Sequence, residues 1–157
     1  MKKKKVRVWL SALLAVLVLA CAFAILKYGI PYLEYIKETK RLDKYSAKKC
    51  ESSFTRVTKR IELSREEYEA LKEELLSEGW SDATENIYGE IDELSRSYFT
   101  DEERTGDREK LIRIKKNVIN LPAMDRPCIF EELFVVIKDD KVYLQFDVFI
   151  SSGDIKL

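Results

Sequence analysis

Histidine is missing altogether from this 157-residue chain, and there are five glycines, three prolines and three cysteines. Without histidine the chain cannot build Ser-His or Cys-His nucleophilic machinery or an imidazole metal site. The few glycines are scattered, with neither the phosphate-cradling GxGxxG spacing nor a P-loop, and no CxxC pair occurs. Net charge is also lacking: 28 basic and 28 acidic side chains cancel. That balance is uneven along the chain, because the first 26 residues hold five basic groups and no acidic one. The remainder is left with 23 basic and 28 acidic groups, a net of −5, which is not a nucleic-acid-binding balance.

What is present begins with a long apolar run. From Val8 to Leu26 there are 19 consecutive residues without a formal charge. At about 1.5 Å of helical rise each they extend roughly 28 Å, close to the ~30 Å hydrocarbon thickness of a bilayer. Trp9 and Tyr28 stand near its ends, where amphipathic rings favour the membrane interface, and Lys27 closes it. Residues 8–26 are therefore read as a transmembrane signal anchor behind a basic tail of residues 1–7. Two alternatives stay open. One is cleavage at a small-residue site such as that after Ala24; the other is lipidation at Cys21 in Val18-Leu19-Ala20-Cys21. Against both, the apolar run continues past the proposed processing points. Lys2, Lys3, Lys4, Lys5 and Arg7 favour a cytoplasmic N-terminus, opposed by Lys27, Lys37, Lys40 and Arg41 on the far side. The domain that follows is then extracytoplasmic, held at the cell membrane.

Beyond the anchor, Pro31 is expected to kink or end the first helix. Residues 27–48 read as a juxtamembrane helical stalk, a solvated connector in preference to one lying against lipid headgroups, and residues 49–157 as one compact domain, too short for two cores. Within it, "SSFTRVTKRIEL" alternates Val57, Ile61 and Leu63 with polar residues as a strand does. Ser64-Arg65-Glu66-Glu67 matches a capping box, Tyr68, Leu71 and Leu75 recur at helical spacing, and Gly79 suits a C-terminal cap, which predicts a helix over 65–78. Its outer face carries Glu66, Glu69, Glu73 and Glu74, which reads as solvated. A second helix is expected over 83–99 from Ile87, Ile91, Leu94 and Tyr98. "REKLIRIKKNVINL" fits both periods, with length favouring helix. The C-terminal segment reads as a β-hairpin, "IFEELFVVIK" and "KVYLQFDVFIS" joined at Asp139-Asp140. Together these give an α+β domain with an antiparallel sheet and two or three helices packed on one face.

Chemistry is sparse. Asp101 to Asp107 resembles a Ca²⁺ loop in its oxygen side chains and its Gly106, but the twelfth position is Ile112 where a bidentate Glu is needed, so a polar turn is expected. Pro122 and Pro127 flank a short connector or recognition loop. Cys50 and Cys128 form an even pair that an oxidising compartment would allow to bridge, or else two separate thiols. No catalytic, cofactor or metal residue is assigned. The reading is a non-enzymatic binding or assembly module, engaging a protein or envelope component. Its alternatives are a tethered hydrolase using carboxylates or a Ser-Lys pair, and a secreted or lipid-anchored inhibitor or immunity-type protein.

Overall fold

The computed structural model describes residues 2–86, 99–116 and 127–151. It is an α+β fold with a six-stranded antiparallel sheet in the order β1-β2-β6-β5-β4-β3. The strands are β1 (Lys48–Ser52), β2 (Arg56–Ser64), β3 (Ser81–Asp82), β4 (Asp107–Lys116), β5 (Cys128–Lys138) and β6 (Lys141–Ser151). Three helices accompany them: α1 (Lys2–Ala24), α2 (Ile30–Thr39) and α3 (Arg65–Ser77).

A π-helical turn over Ile25–Gly29 separates α1 from α2, and Pro31 lies in the first turn of α2. A widened turn followed by a proline is a recognised cause of helix bending. Among the described residues no single helix is long and apolar enough to cross a membrane; Leu13–Lys27 and Tyr32–Tyr45 meet the requirement only as a pair bent by 40°. Taken alone, the described part of α1 does not amount to the span expected over 8–26. Every described side chain from Leu13 to Lys27 is exposed.

The segment expected as a solvated connector is docked instead. Tyr35 and Leu42 are buried in the main core, with Tyr32, Ile36 and Tyr45 packed against it. The core lies between α2, α3 and one face of the sheet, and takes Ile61 and Leu63 from β2, Leu111 from β4, Leu133 and Val135 from β5, and Leu144, Phe146 and Val148 from β6.

The capping box forms as read: Glu67 N–H donates to Ser64 Oγ while Glu67 accepts from Ser64 N–H at 2.9 Å. At the other end of α3, Trp80 N–H donates to Leu75 O and Gly79 N–H to Leu76 O, a Schellman motif with Gly79 at φ +87°. The C-terminal hairpin also forms, with Lys138 opposite Lys141 across the two-residue turn and Asp139 at φ +55°.

Other expectations fare differently. "REKLIRIK" is strand β4, because both its faces are used: Glu109, Leu111 and Arg113 face the helices while Lys110 and Ile112 face the other way, so no clean alternation marks it. Of the helix expected over 83–99, residues 84–86 form a 3₁₀ turn and most of the rest lies outside the described residues, as do Pro122, Val118 and Leu121. The hairpin is central in the sheet, β5 pairing with β4 and β6 with β2, so neither of its strands is an edge. The sheet is also buried on both faces rather than one: Gln145 and Asp147, opposite the helices, are as inaccessible as the core.

Candidate functional site

Two buried polar clusters lie on opposite faces of the sheet. The larger is on the helix-facing side, where Arg113 on β4 stands across from Glu131 on β5. Glu131 is fully buried and Glu38, reaching down from α2, is 2% exposed. Arg113 donates to Glu131 at 2.5 Å and to Glu38 at 2.8 Å. Arg41 donates to Glu38 at 2.9 Å and also pairs with Glu78 at the end of α3, and Lys115 pairs with Glu38. Three carboxylates and three cations thus close a neutral network where α2, the end of α3 and the sheet converge. Burial alone would raise the Glu38 carboxyl, but hydrogen bonds from Lys115 and Arg41 outweigh it and hold the group at about 2. For Glu131 burial wins over Arg113, and its carboxyl is pushed above the usual range.

A second tie secures the same helix. Lys59 interrupts the apolar face of β2 between Val57 and Ile61, and its buried ammonium donates to the Thr39 carbonyl at the end of α2 and to Asp43. Nearer the hairpin end, α3 is held by Tyr68, whose hydroxyl donates to Glu109, and by Lys72, which donates to the same carboxylate at 2.6 Å. The two helices therefore divide the face between them, and each of these buried charges has an opposite partner. Removing one member of such a buried set leaves an uncompensated charge, which makes the network a clamp on α2.

On the opposite face, Asp147 accepts from the Thr58 hydroxyl and from Gln145 Nε2 at 2.8 Å, with Arg56 at 3.6 Å. Glu132, across the ladder from Asp147, pairs with Lys110 at 3.2 Å, and the Lys110 ammonium lies 4.8 Å from the Phe134 ring centre. Among the described residues, Gln145 Oε1 and Arg56 Nε have no hydrogen-bond partner. Farther toward the hairpin, Phe99 packs on Phe134 and Val136, and Glu103 is tied to Arg60 and accepts from Thr100 N–H. The stretch compared above with a Ca²⁺ loop is thus a 3₁₀ turn whose central carboxylate has two protein partners. An open depression of about 530 Å³ beside it is lined by Thr100, Glu102, Lys138, Asp140 and Tyr143, with Lys138 and Glu102 paired across it.

The structure does not bring Cys50 and Cys128 together. Cys50 is the extra residue of a bulge in edge strand β1, exposed, while Cys128 is buried at the start of β5. Three strand spacings of about 4.8 Å intervene, roughly 14 Å, far beyond what a bridge allows. Burial raises the Cys128 thiol above its ordinary value, with Lys116 opposing. Cys21, the lipidation alternative, is exposed on α1. Sequence reasoning missed Glu38, Arg41, Arg113 and Glu131, because charged residues at alternating or helical positions read as solvated faces. The visible signal was the pair of charged residues, Glu109 and Arg113, flanking Leu111 at strand spacing.

No family model, curated protein or solved structure matches the chain.

Proposed function

We propose that this chain is a single-pass membrane protein whose α+β domain is a non-enzymatic binding or assembly module at the cell envelope, with the N-terminus in the cytoplasm. The observation that carries the reading is the contrast between α1 and everything after it. Leu13, Leu14, Val16, Leu17, Val18, Leu19, Phe23, Ile25 and Leu26 are all exposed, and they surround the helix rather than forming one stripe. A helix apolar on every side needs an apolar environment on every side, and an exposed patch of that size is foreign to a monomer in water. The hydrocarbon core of a bilayer supplies it, and the basic tail of residues 2–7 fits the inner face.

Support for a binding role over a hydrolytic one comes from where the perturbed carboxylates lie. Glu38 and Glu131 are under α2 with Arg41, Arg113 and Lys115 on their oxygens, an arrangement suited to fixing the domain to its anchor.

Alkaline carbonate extraction of membranes, combined with a membrane-impermeant maleimide on intact cells, tests both parts. Retention in the pellet with Cys50 labelled before permeabilisation is expected, since Cys50 is an exposed thiol of the domain while Cys128 is buried. Release by carbonate would overturn the anchor. Labelling only after permeabilisation would invert the topology and redirect the partner search to the cytoplasm.

A further inference from the structure

We propose that the turn between β1 and β2 is a second membrane contact, in which Phe54 enters the headgroup boundary of the same bilayer that holds α1; this rests on the anchor reading above. Phe54 is 63% exposed, at the tip of a short turn. The turn is rigid. Ser53 N–H donates to Arg56 O at 2.7 Å and Arg56 N–H returns a bond to Ser53 Oγ at 3.0 Å. An aromatic ring is thus presented to the outside on a fixed backbone, so little ordering cost remains when it finds an apolar surface.

Its position relative to the anchor is set by α2. The Phe54 ring stacks on Tyr32 at 4.7 Å and 15°, and the Tyr32 hydroxyl donates to the Phe54 carbonyl at 3.1 Å. Tyr32 follows Lys27, where the apolar run closes, by five residues. At about 1.5 Å per residue that is at most roughly 7.5 Å along a straight helix, and the 40° bend between the two helices shortens it to about 6–7 Å along the axis of α1, against a polar zone of about 5–7 Å on each side of a bilayer. The stacked rings therefore fall at headgroup level, the depth that aromatic residues prefer. Leu33, the next residue on α2, is also exposed, at 61%.

The rest of the sheet agrees with this orientation. Register places Arg56 opposite Phe149 at the turn end, and Ser64 opposite Lys141 at the other. The far end carries Asp139 and Asp140 at the hairpin and Asp107 at the start of β4, all exposed. The exposed charges of the hairpin thus lie at the end remote from Phe54, away from the bilayer. With α2 locked to the sheet by the Glu38 network, inserting Phe54 fixes the tilt of the whole domain over the membrane.

Trp9 lies in the apolar run and Trp80 is buried in the domain core, which allows one fluorescence experiment to separate the claims. The full chain is reconstituted in phosphatidylcholine–phosphatidylglycerol vesicles with or without lipids brominated near the headgroup end of the acyl chains. Three forms are compared: the native chain, Trp9→Phe, and Trp9→Phe combined with Phe54→Trp. Expected are strong quenching of the native chain, almost none in Trp9→Phe, and loss of about half of the added emission, blue-shifted, in the form carrying Phe54→Trp. If the native chain is quenched but the emission added by Phe54→Trp is not, the turn faces water or a protein partner and this inference fails while the anchor stands. An unquenched native chain would overturn the anchor reading and this one with it.

Discussion

The two halves of the N-terminal helix differ as much as two helices can while adjoining each other. The described side chains of α1, from Leu13 to Ala24, carry no charge and are exposed, and across a five-residue π turn α1 gives way to α2, which is amphipathic and docked against the sheet. What α1 needs from its surroundings is non-directional, and any hydrocarbon will satisfy it. What α2 needs is particular: a ring pocket for Tyr35, and Arg113 and Lys115 at the right register under Glu38. In the proposed anchoring, location and geometry fall to separate pieces of the N-terminal helical segment, and the π turn is where one requirement ends and the other begins.

Truncating the best-buried ring of α2 is the most forceful way to break this contrast. Tyr35→Ala should cost the domain about 3–5 kcal/mol, as expected for deleting a buried aromatic ring, whereas Leu17→Ala in α1 should change domain stability by under about 0.5 kcal/mol. Urea unfolding of the full chain in detergent, followed by Trp80 fluorescence, measures both. Equal losses would mean that α1 packs on the domain after all. A finer test uses the Tyr35 hydroxyl, which is buried without a hydrogen-bond partner among the described residues. Burial, with Tyr32 adding to it, pushes this phenol up to about 12. Tyr35→Phe removes an unsatisfied group and should be neutral or stabilise by up to about 1 kcal/mol.

Much of the domain could be read from residue order. The capping box at Ser64, the left-handed Gly79 and the alternation of β6 are local signals, each sufficient in its own window. β4 was illegible for a physical reason: strands buried on both faces lose their alternation, and here the helix-facing positions Glu109, Arg113 and Lys115 are charged. The docking of α2 was hidden the same way. Glu38 and Arg41 look like solvent-facing residues until Arg113, Lys115 and Glu131, far along the chain, supply the opposite charges. Cys50 and Cys128 show the converse limit, since an even count of thiols says nothing about the three strand spacings between them.

Acidification should loosen α2 and leave α1 unaffected. In the unfolded chain the Glu38 carboxyl binds its proton near the ordinary value of 4.5, and in the folded protein only near 2. Between those values the unfolded state holds more protons, so the stability this group contributes is complete above the upper value and is lost as pH falls toward the lower one. Glu131 has the opposite sign: raised by burial, it takes up its proton more readily when folded, and its contribution is lost as pH rises through its folded value. Glu38→Gln should cost about 2–3 kcal/mol at neutral pH, the scale of a charge-assisted hydrogen bond, and should flatten the acid limb of the stability profile. An acid limb unchanged in Glu38→Gln would move the pH sensitivity elsewhere.

The smallest expected effect concerns the junction itself. Gly29 closes the π turn, and a Cβ added there would meet only the Ile25 Cγ2 at 3.6 Å, an ordinary contact. Its backbone is already right-handed, at φ −72° and ψ −48°. Nothing in the geometry requires glycine, so its effect is to leave the turn easier to unwind than alanine would, by roughly 0.5–1 kcal/mol. Gly29→Ala should therefore slow amide exchange through residues 25–33 by about two- to five-fold, the rate equivalent of that free energy, with the sheet unchanged. Slower exchange confined to those residues would identify the π turn as the compliant joint between the proposed anchor and a helix docked on the sheet. Exchange unchanged by alanine would instead locate the rigidity in Pro31 and in the docked face of α2, making anchor and domain a single stiff body whose tilt is governed by Tyr32 and Phe54 alone.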